Sequence, residues 1–158
     1  MLAADDACRR RAKEFEQKEI SMADMTTEAI NAALIVSAYE AFSRGDIQSV
    51  LGTLAEDIVW HVPGRGPLSC DYRGHTEVLG FFDHFMRLSD GTFRVQLDEV
   101  FAKGDRVLIL CTENAQRGGR SWSSPQVHAW TIKGGRAIAF RQYQGDQQGE
   151  DEFWSMDI

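Results

Sequence analysis

The order of its hydrophobic periods constrains this chain more than any other feature: helix, helix, one short strand, helix, then four long strands without interruption. Apolar and small residues recur at helical spacing through Ala29, Ile30, Ala33, Leu34, Ser37 and Ala38, and on to Phe42. Gly45-Asp46 breaks that period, and a second short helical stretch runs from 47 to 55. Asp57 to Val62 reads as a strand closed by Pro63-Gly64. Val78, Leu79, Phe82, Phe85 and Met86 then restore the helical period over 75–88. From Thr92 onward the pattern is β, punctuated by Lys103-Gly104-Asp105, Gly118-Gly119 and Gly134-Gly135. Helices at one end and an antiparallel meander at the other predict an α+β domain. The expected form is a cone of three helices packed on a curved, mixed but mostly antiparallel sheet of four to six strands. Its mouth is bounded by the glycine- and proline-rich 63–74 segment, and such a shape leaves an apolar cavity suited to a small molecule.

The acidic balance narrows the partners. A formal charge of −7 and a pI near 5.0 speak against a nucleic-acid or anionic-membrane surface. Cys8, Cys70 and Cys111 are odd in number and widely spaced, matching neither a metal site nor a disulfide framework. No apolar run reaches the roughly 20 residues of a membrane span, so a soluble protein of a reducing cytoplasm is expected. Residues 1–25 read as a charged N-terminal extension, with Met22 and Met25 as alternative starts ahead of the helix cap at Thr26 or Thr27. Residues 26–158 read as one domain ending in a short acidic tail, Asp151-Glu152-Phe153-Trp154.

Several segments together resemble the SnoaL-like, ketosteroid-isomerase-like branch of the nuclear transport factor 2-like (NTF2-like) superfamily. They are Tyr39 to Asp46, Leu54 to Gly64, Tyr72-Arg73-Gly74-His75, Ala102 to Val107 and Gly135 to Phe140. The resemblance spans 27–146 and implies a cone-shaped fold and sheet-to-sheet dimers. It leaves the activity open, because one such fold hosts isomerases, cyclases, dehydratases, epoxide hydrolases and binding modules. Carried over residue by residue, the steroid-isomerase base falls on Val62, which cannot move a proton. The oxyanion aspartate falls on His128. The oxyanion tyrosine falls on Ala38, with Tyr39 one position away. That steroid chemistry is therefore not expected, although the cavity is.

Strand alternation assigns the lining. Trp60 and Val62 face inward on the first strand, and Gln126, His128 and Trp130 on 121–133, with Trp122, Ser124 and Ile132. The same reading sends Leu108, Leu110, Thr112 and Asn114 inward on 105–117, and Ile138, Phe140, Gln142 and Gln144 on 136–144. Phe82 and Phe85 or Met86 come from the third helix. His128 is the candidate acid/base, since an imidazole titrates near neutrality, at about 6.5 when unperturbed. Arg65, Asp71 and Tyr72 are candidate lid residues, and the aromatic pair Trp60 and Trp130 could stack a planar ligand.

The same alternation places Glu113 and Arg117 with Val107, Ile109 and Cys111 on the outer face. An apolar outer face calls for cover, so a homodimer through Val107, Ile109 and Cys111 is expected. Three functions remain open. One is a cofactor-independent isomerase-, cyclase- or dehydratase-like enzyme using His128. The second is a non-catalytic binder of a small hydrophobic molecule, and the third is a structural dimer. No metal site is expected, because no two histidines have ligand spacing.

Overall fold

In a computed structural model, residues 10 and 26–156 are described. The extension expected over 1–25 therefore lies almost wholly outside the described residues. Helix α1 covers 26–43, and α2 is Ile47–Thr53. Strand β1, Leu54–Val62, and β2, Cys70–Arg73, precede α3, Gly74–Leu88. Four strands follow: β3 Arg94–Lys103, β4 Arg106–Arg117, β5 Arg120–Lys133 and β6 Arg136–Gln144. Helix α4, Gln147–Ser155, closes the described chain. One sheet has the order β2-β1-β6-β5-β4-β3, with β1 parallel to β6 and every other pair antiparallel.

Two elements exceed the sequence expectation. Cys70–Arg73 is an edge strand on β1, whereas the whole 63–74 segment reads as loop; four residues are too few to show alternation. The acidic tail is helix α4. Asp146 caps it by accepting from the Gly149 N–H at 2.9 Å, and Phe153 and Trp154 give it a buried face. The second helix also stops at Thr53, and the strand begins at Leu54, where the cap residue turns extended.

The helices lie against the concave face. Glu28 accepts from the Gly104 N–H at 2.7 Å, and Asn31 donates to the Gly104 carbonyl at 3.2 Å, pinning α1 to the β3–β4 turn. Aromatic rings fill the space between helices and sheet. Trp60 stacks on Phe140 with centroids 3.9 Å apart and meets Trp130 edge-on at 5.3 Å. Phe85 packs on Phe93 at 4.3 Å. Burial of this apolar area is the main stabilising contribution of the fold.

The register of β4 overturns one expectation. Arg117 and Arg120 face each other across the turn Gly118-Gly119, whose φ angles of 55° and 74° suit a two-residue hairpin. Counting back along both strands pairs Ile109 with His128 and Val107 with Trp130. Residues directly opposite project to the same side. With His128 inward, Val107, Ile109, Cys111, Glu113 and Ala115 must be inward too, and all five are buried. Leu108, Leu110, Thr112 and Asn114 occupy the outer face instead. A one-residue slip moves every side chain to the other face. The patch that motivated the dimer, Val107, Ile109 and Cys111, is thus interior, and a second copy cannot seat on it. The outer face carries the exposed Phe101, Leu108 and Tyr143. On β6 a bulge between Thr131 and Ile132 leaves Ile138 unpaired, so Ala137 is buried in its place, while Phe140 and Gln142 are inward as expected.

Candidate functional site

A cavity of about 70 Å³ lies between the helices and the concave face of the sheet. Its walls are mostly Phe, Trp, Val, Leu and Ala, with one polar arc of Tyr39, His128, Glu113, Gln142 and Glu150. On this scale one water needs roughly 10–15 Å³, so the space suits a compact molecule of about one ring.

The arc is a continuous hydrogen-bonded chain. His128 Nδ1 lies 2.7 Å from the Tyr39 hydroxyl, and that oxygen accepts from Trp130 Nε1–H at 3.1 Å. His128 Nε2 lies 3.0 Å from Gln126 Oε1 and 3.2 Å from Glu113 Oε1. Both of those neighbours are acceptors. In its neutral form the imidazole would therefore carry its proton on Nε2 and receive the tyrosine O–H at Nδ1. Gln126 Nε2 donates to Glu113 Oε2 at 2.7 Å, and Gln142 Nε2 donates to Gln126 Oε1 at 2.6 Å. His128, Glu113, Gln126 and Gln142 are all buried. Tyr39 is half-buried as a residue, but its hydroxyl ends between the buried His128 and Trp130. Burial pushes that hydroxyl well above the usual tyrosine range, so it remains a neutral donor.

Glu150 enters from α4. Burial first, and then the nearby Glu113 and Asp151 carboxylates, raise its pKa to about 9, while the amides of Gln147 and Gln142 pull the other way. The native carboxyl thus keeps a proton that the unfolded chain, at an ordinary 4.5, releases. Stability contributed here is complete below pH 4.5 and declines as pH rises toward 9. The expected result is that wild type loses up to about 1.4 kcal/mol per pH unit in that window relative to Glu150→Gln. Urea melts of both proteins at pH 5, 7 and 9 check it; parallel pH curves would show that Glu150 is ionised in the fold.

Of the residues assigned from sequence, Trp60, Val62, Phe82, Phe85, Trp130, Phe140, Gln142 and His128 line the cavity. Gln126 lies behind the lining and orients His128. Leu110 and Asn114 are on the far face of β4 and are not site residues. The lid assignments fail as well. Asp71 is exposed and paired with His61 on the side of β1 away from the cavity. Tyr72 donates to the Leu68 carbonyl at 2.8 Å and packs on Phe81. Arg65 is exposed and meets α4 through its backbone N–H, which donates to Asp151 at 2.9 Å. From that loop only Leu68 lines the cavity. Arg117, although on the inward side of β4, donates to the carbonyls of Phe153 at 3.2 Å and Trp154 at 2.6 Å, so Glu113 and Arg117 do not form a shared catalytic set.

Sequence reasoning missed Tyr39, Glu113 and Glu150. The two-glycine turn held the signal for Glu113, since it alone sets the β4–β5 register. Glu150 gave none, because a nine-residue helix rich in Gln, Glu and Asp has no clear apolar period.

A curved mixed sheet over helices, with a buried imidazole in an apolar cavity, defines an NTF2-like α+β protein. The chain belongs to the SnoaL-like domain family, whose model matches residues 35–140. Its structure is similar to that of Bal32a, from a soil-derived mobile gene cassette, with a TM-score of 0.78 and 29% identity over 81% of this chain and 98% of that one. It is similar also to an NTF2-like protein of unknown function from Burkholderia pseudomallei, with a TM-score of 0.73 and 30% identity, covering 80% and 98% of the two chains. In sequence it is 26% identical over 130 residues to the uncharacterised protein Rv0034 of Mycobacterium tuberculosis, covering 82% of this chain and 99% of the relative. No helix among the described residues is long and apolar enough to cross a membrane.

Proposed function

We propose that this protein binds a compact, uncharged, mainly apolar molecule and that His128 moves a proton on it, in a cofactor-independent isomerase- or cyclase-type reaction. The observation that carries this reading is the Tyr39–His128–Glu113 series, a hydroxyl, an imidazole and a carboxylate in contact on an apolar cavity wall. A carboxylate at Nε2 fixes the tautomer and stabilises the imidazolium formed when Nδ1 accepts a proton. Tyr39 can turn its O–H from Nδ1 to a ligand oxygen, which frees the base and supplies a donor where negative charge develops. A proton leaves a carbon next to a carbonyl and rests on His128. In an isomerisation the C=C π bond shifts as one C–H bond breaks and another forms. In a cyclisation the enolate carbon bonds a second carbonyl carbon of the ligand, whose oxygen takes the proton from His128. Neither route consumes a co-reactant. Val62, at the usual base position, lines the cavity and contributes only apolar surface.

Solvent-deuterium exchange into a panel of one-ring enolisable ketones, followed by NMR, tests the reading. His128→Gln is expected to abolish exchange while the melting temperature stays within a few degrees, and Tyr39→Phe to slow it by about 10²-fold. Exchange that survives His128→Gln would remove the catalytic role. A second reading rests on the fact that both ring nitrogens of His128 already have protein partners, which suits a non-catalytic binder. A ligand that co-purifies in native mass spectrometry without any exchange activity would favour it.

A further inference from the structure

Glu150 stands on the cavity wall beyond the Tyr39–His128–Glu113 series, and its helix is held at its middle and near its C-terminal end. Asp151 accepts from the N–H groups of Arg65 and Gly66 at 2.9 and 3.2 Å. Arg117 holds the carbonyls of Phe153 and Trp154, and Phe153 stacks on Trp122 at 5.5 Å. The carboxyl is therefore placed on a fixed element.

Its donors are too few for an anion. The Gln142 amide has two hydrogens and three acceptors in reach: Gln126 Oε1 at 2.6 Å, Glu113 Oε2 at 3.4 Å and Glu150 Oε1 at 3.4 Å. The Gln147 amide likewise faces Asp151 Oδ1 at 3.0 Å, Glu150 Oε2 at 3.3 Å and the Pro63 carbonyl at 3.5 Å. Each oxygen of Glu150 thus has only a long, shared contact, whereas an ionised carboxylate binds its donors short. Glu113, on the same Gln142 amide, has Gln126 and His128 to support a charge. Two carboxyl groups meeting at one buried amide do not both ionise.

The geometry points to Glu150 as a neutral carboxylic acid that donates its hydrogen bond to an oxygen of the bound ligand, a further catalytic and specificity-determining residue that rests on the His128 reading. The ligand class is a ring compound with a carbonyl, enol or phenol oxygen. Carboxylates are selected against, because Glu113 shares the cavity and no Lys or Arg among the described residues lines it. When His128 takes the proton from carbon, the charge on the oxygen is met by the Glu150 O–H. Glu150 ends the cycle still protonated, so the reaction needs nothing further.

Two measurements test this on the full chain. Infrared spectra of the ligand-free protein at pH 7 should contain a protonated-carboxyl C=O band that shifts in D2O. Glu150→Gln should remove that band, and His128→Gln should leave it. Absence of a band lost with Glu150→Gln overturns the inference whatever His128 does. A band that persists alongside deuterium exchange insensitive to His128→Gln defeats only the His128 reading. Binding of 4-nitrophenol, followed by its absorbance, should weaken about tenfold in Glu150→Leu and stay within about threefold of wild type in Glu150→Gln, whose amide still donates. Equal affinity in wild type and Glu150→Leu, or no binding to wild type, overturns the donor role.

Discussion

Ile109→Asp is expected to yield no folded protein. Ile109 has no exposed surface, stands opposite His128 across β4 and β5, and lies in the layer that joins sheet to helices. An aspartate there loses the isoleucine's apolar burial and brings a carboxylate into the buried layer, where no Lys or Arg among the described residues lines the adjoining cavity. An uncompensated buried charge alone costs about 3–5 kcal/mol, and the lost side chain adds about 2–3 kcal/mol. Together these match the roughly 5–15 kcal/mol that holds an ordinary domain folded. Circular dichroism and size-exclusion chromatography decide the outcome. A soluble, folded, monomeric variant would instead place Ile109 on the outer face, with the dimer expectation restored. The contrasting Leu108→Asp, at an exposed neighbour one residue away, should fold with a change of less than about 1 kcal/mol.

Glu113→Ala has the next largest expected effect, on stability and activity together. Its two oxygens receive Gln126 Nε2 at 2.7 Å and face His128 Nε2 at 3.2 Å, with Gln142 Nε2 at 3.4 Å. Removing them leaves Gln126 with a buried unmatched donor and the imidazolium without its counter-charge. The expected loss is about 2–4 kcal/mol, a fall of about 5–15 °C in Tm for a chain of this size. Ligand proton exchange should fall at least tenfold. Glu113→Gln keeps an acceptor toward His128 and should recover about half of the stability but little of the exchange. Calorimetry and the exchange assay separate the two contributions. A variant as stable as wild type would mean that the network is not closed in solution.

The α+β class, the three helices after residue 26 and the four long strands followed from elements with strong local periods. Ala29 to Phe42, Val78 to Met86 and the alternation Gln126-His128-Trp130 each carry their face within a few residues. The inward position of Trp60, Val62, His128, Trp130, Phe140 and Gln142 was legible for the same reason. On β4, by contrast, Val107, Ile109 and Cys111 alternate with Leu108 and Leu110, so both faces are apolar and local pattern cannot choose between them. The hairpin at Gly118-Gly119 chooses, through pairing with a strand whose face is unambiguous. That choice brings Glu113 to His128 and removes Leu110 and Asn114 from the site. Tyr39 and Glu150 belong to elements far from β5 in sequence, and only packing brings them to one cavity. Local sequence determined the elements and most of the apolar lining, because periodicity is a short-range property. Tertiary structure decided the acid–base arc, because hydrogen-bond partners across strands and helices are set by register and packing.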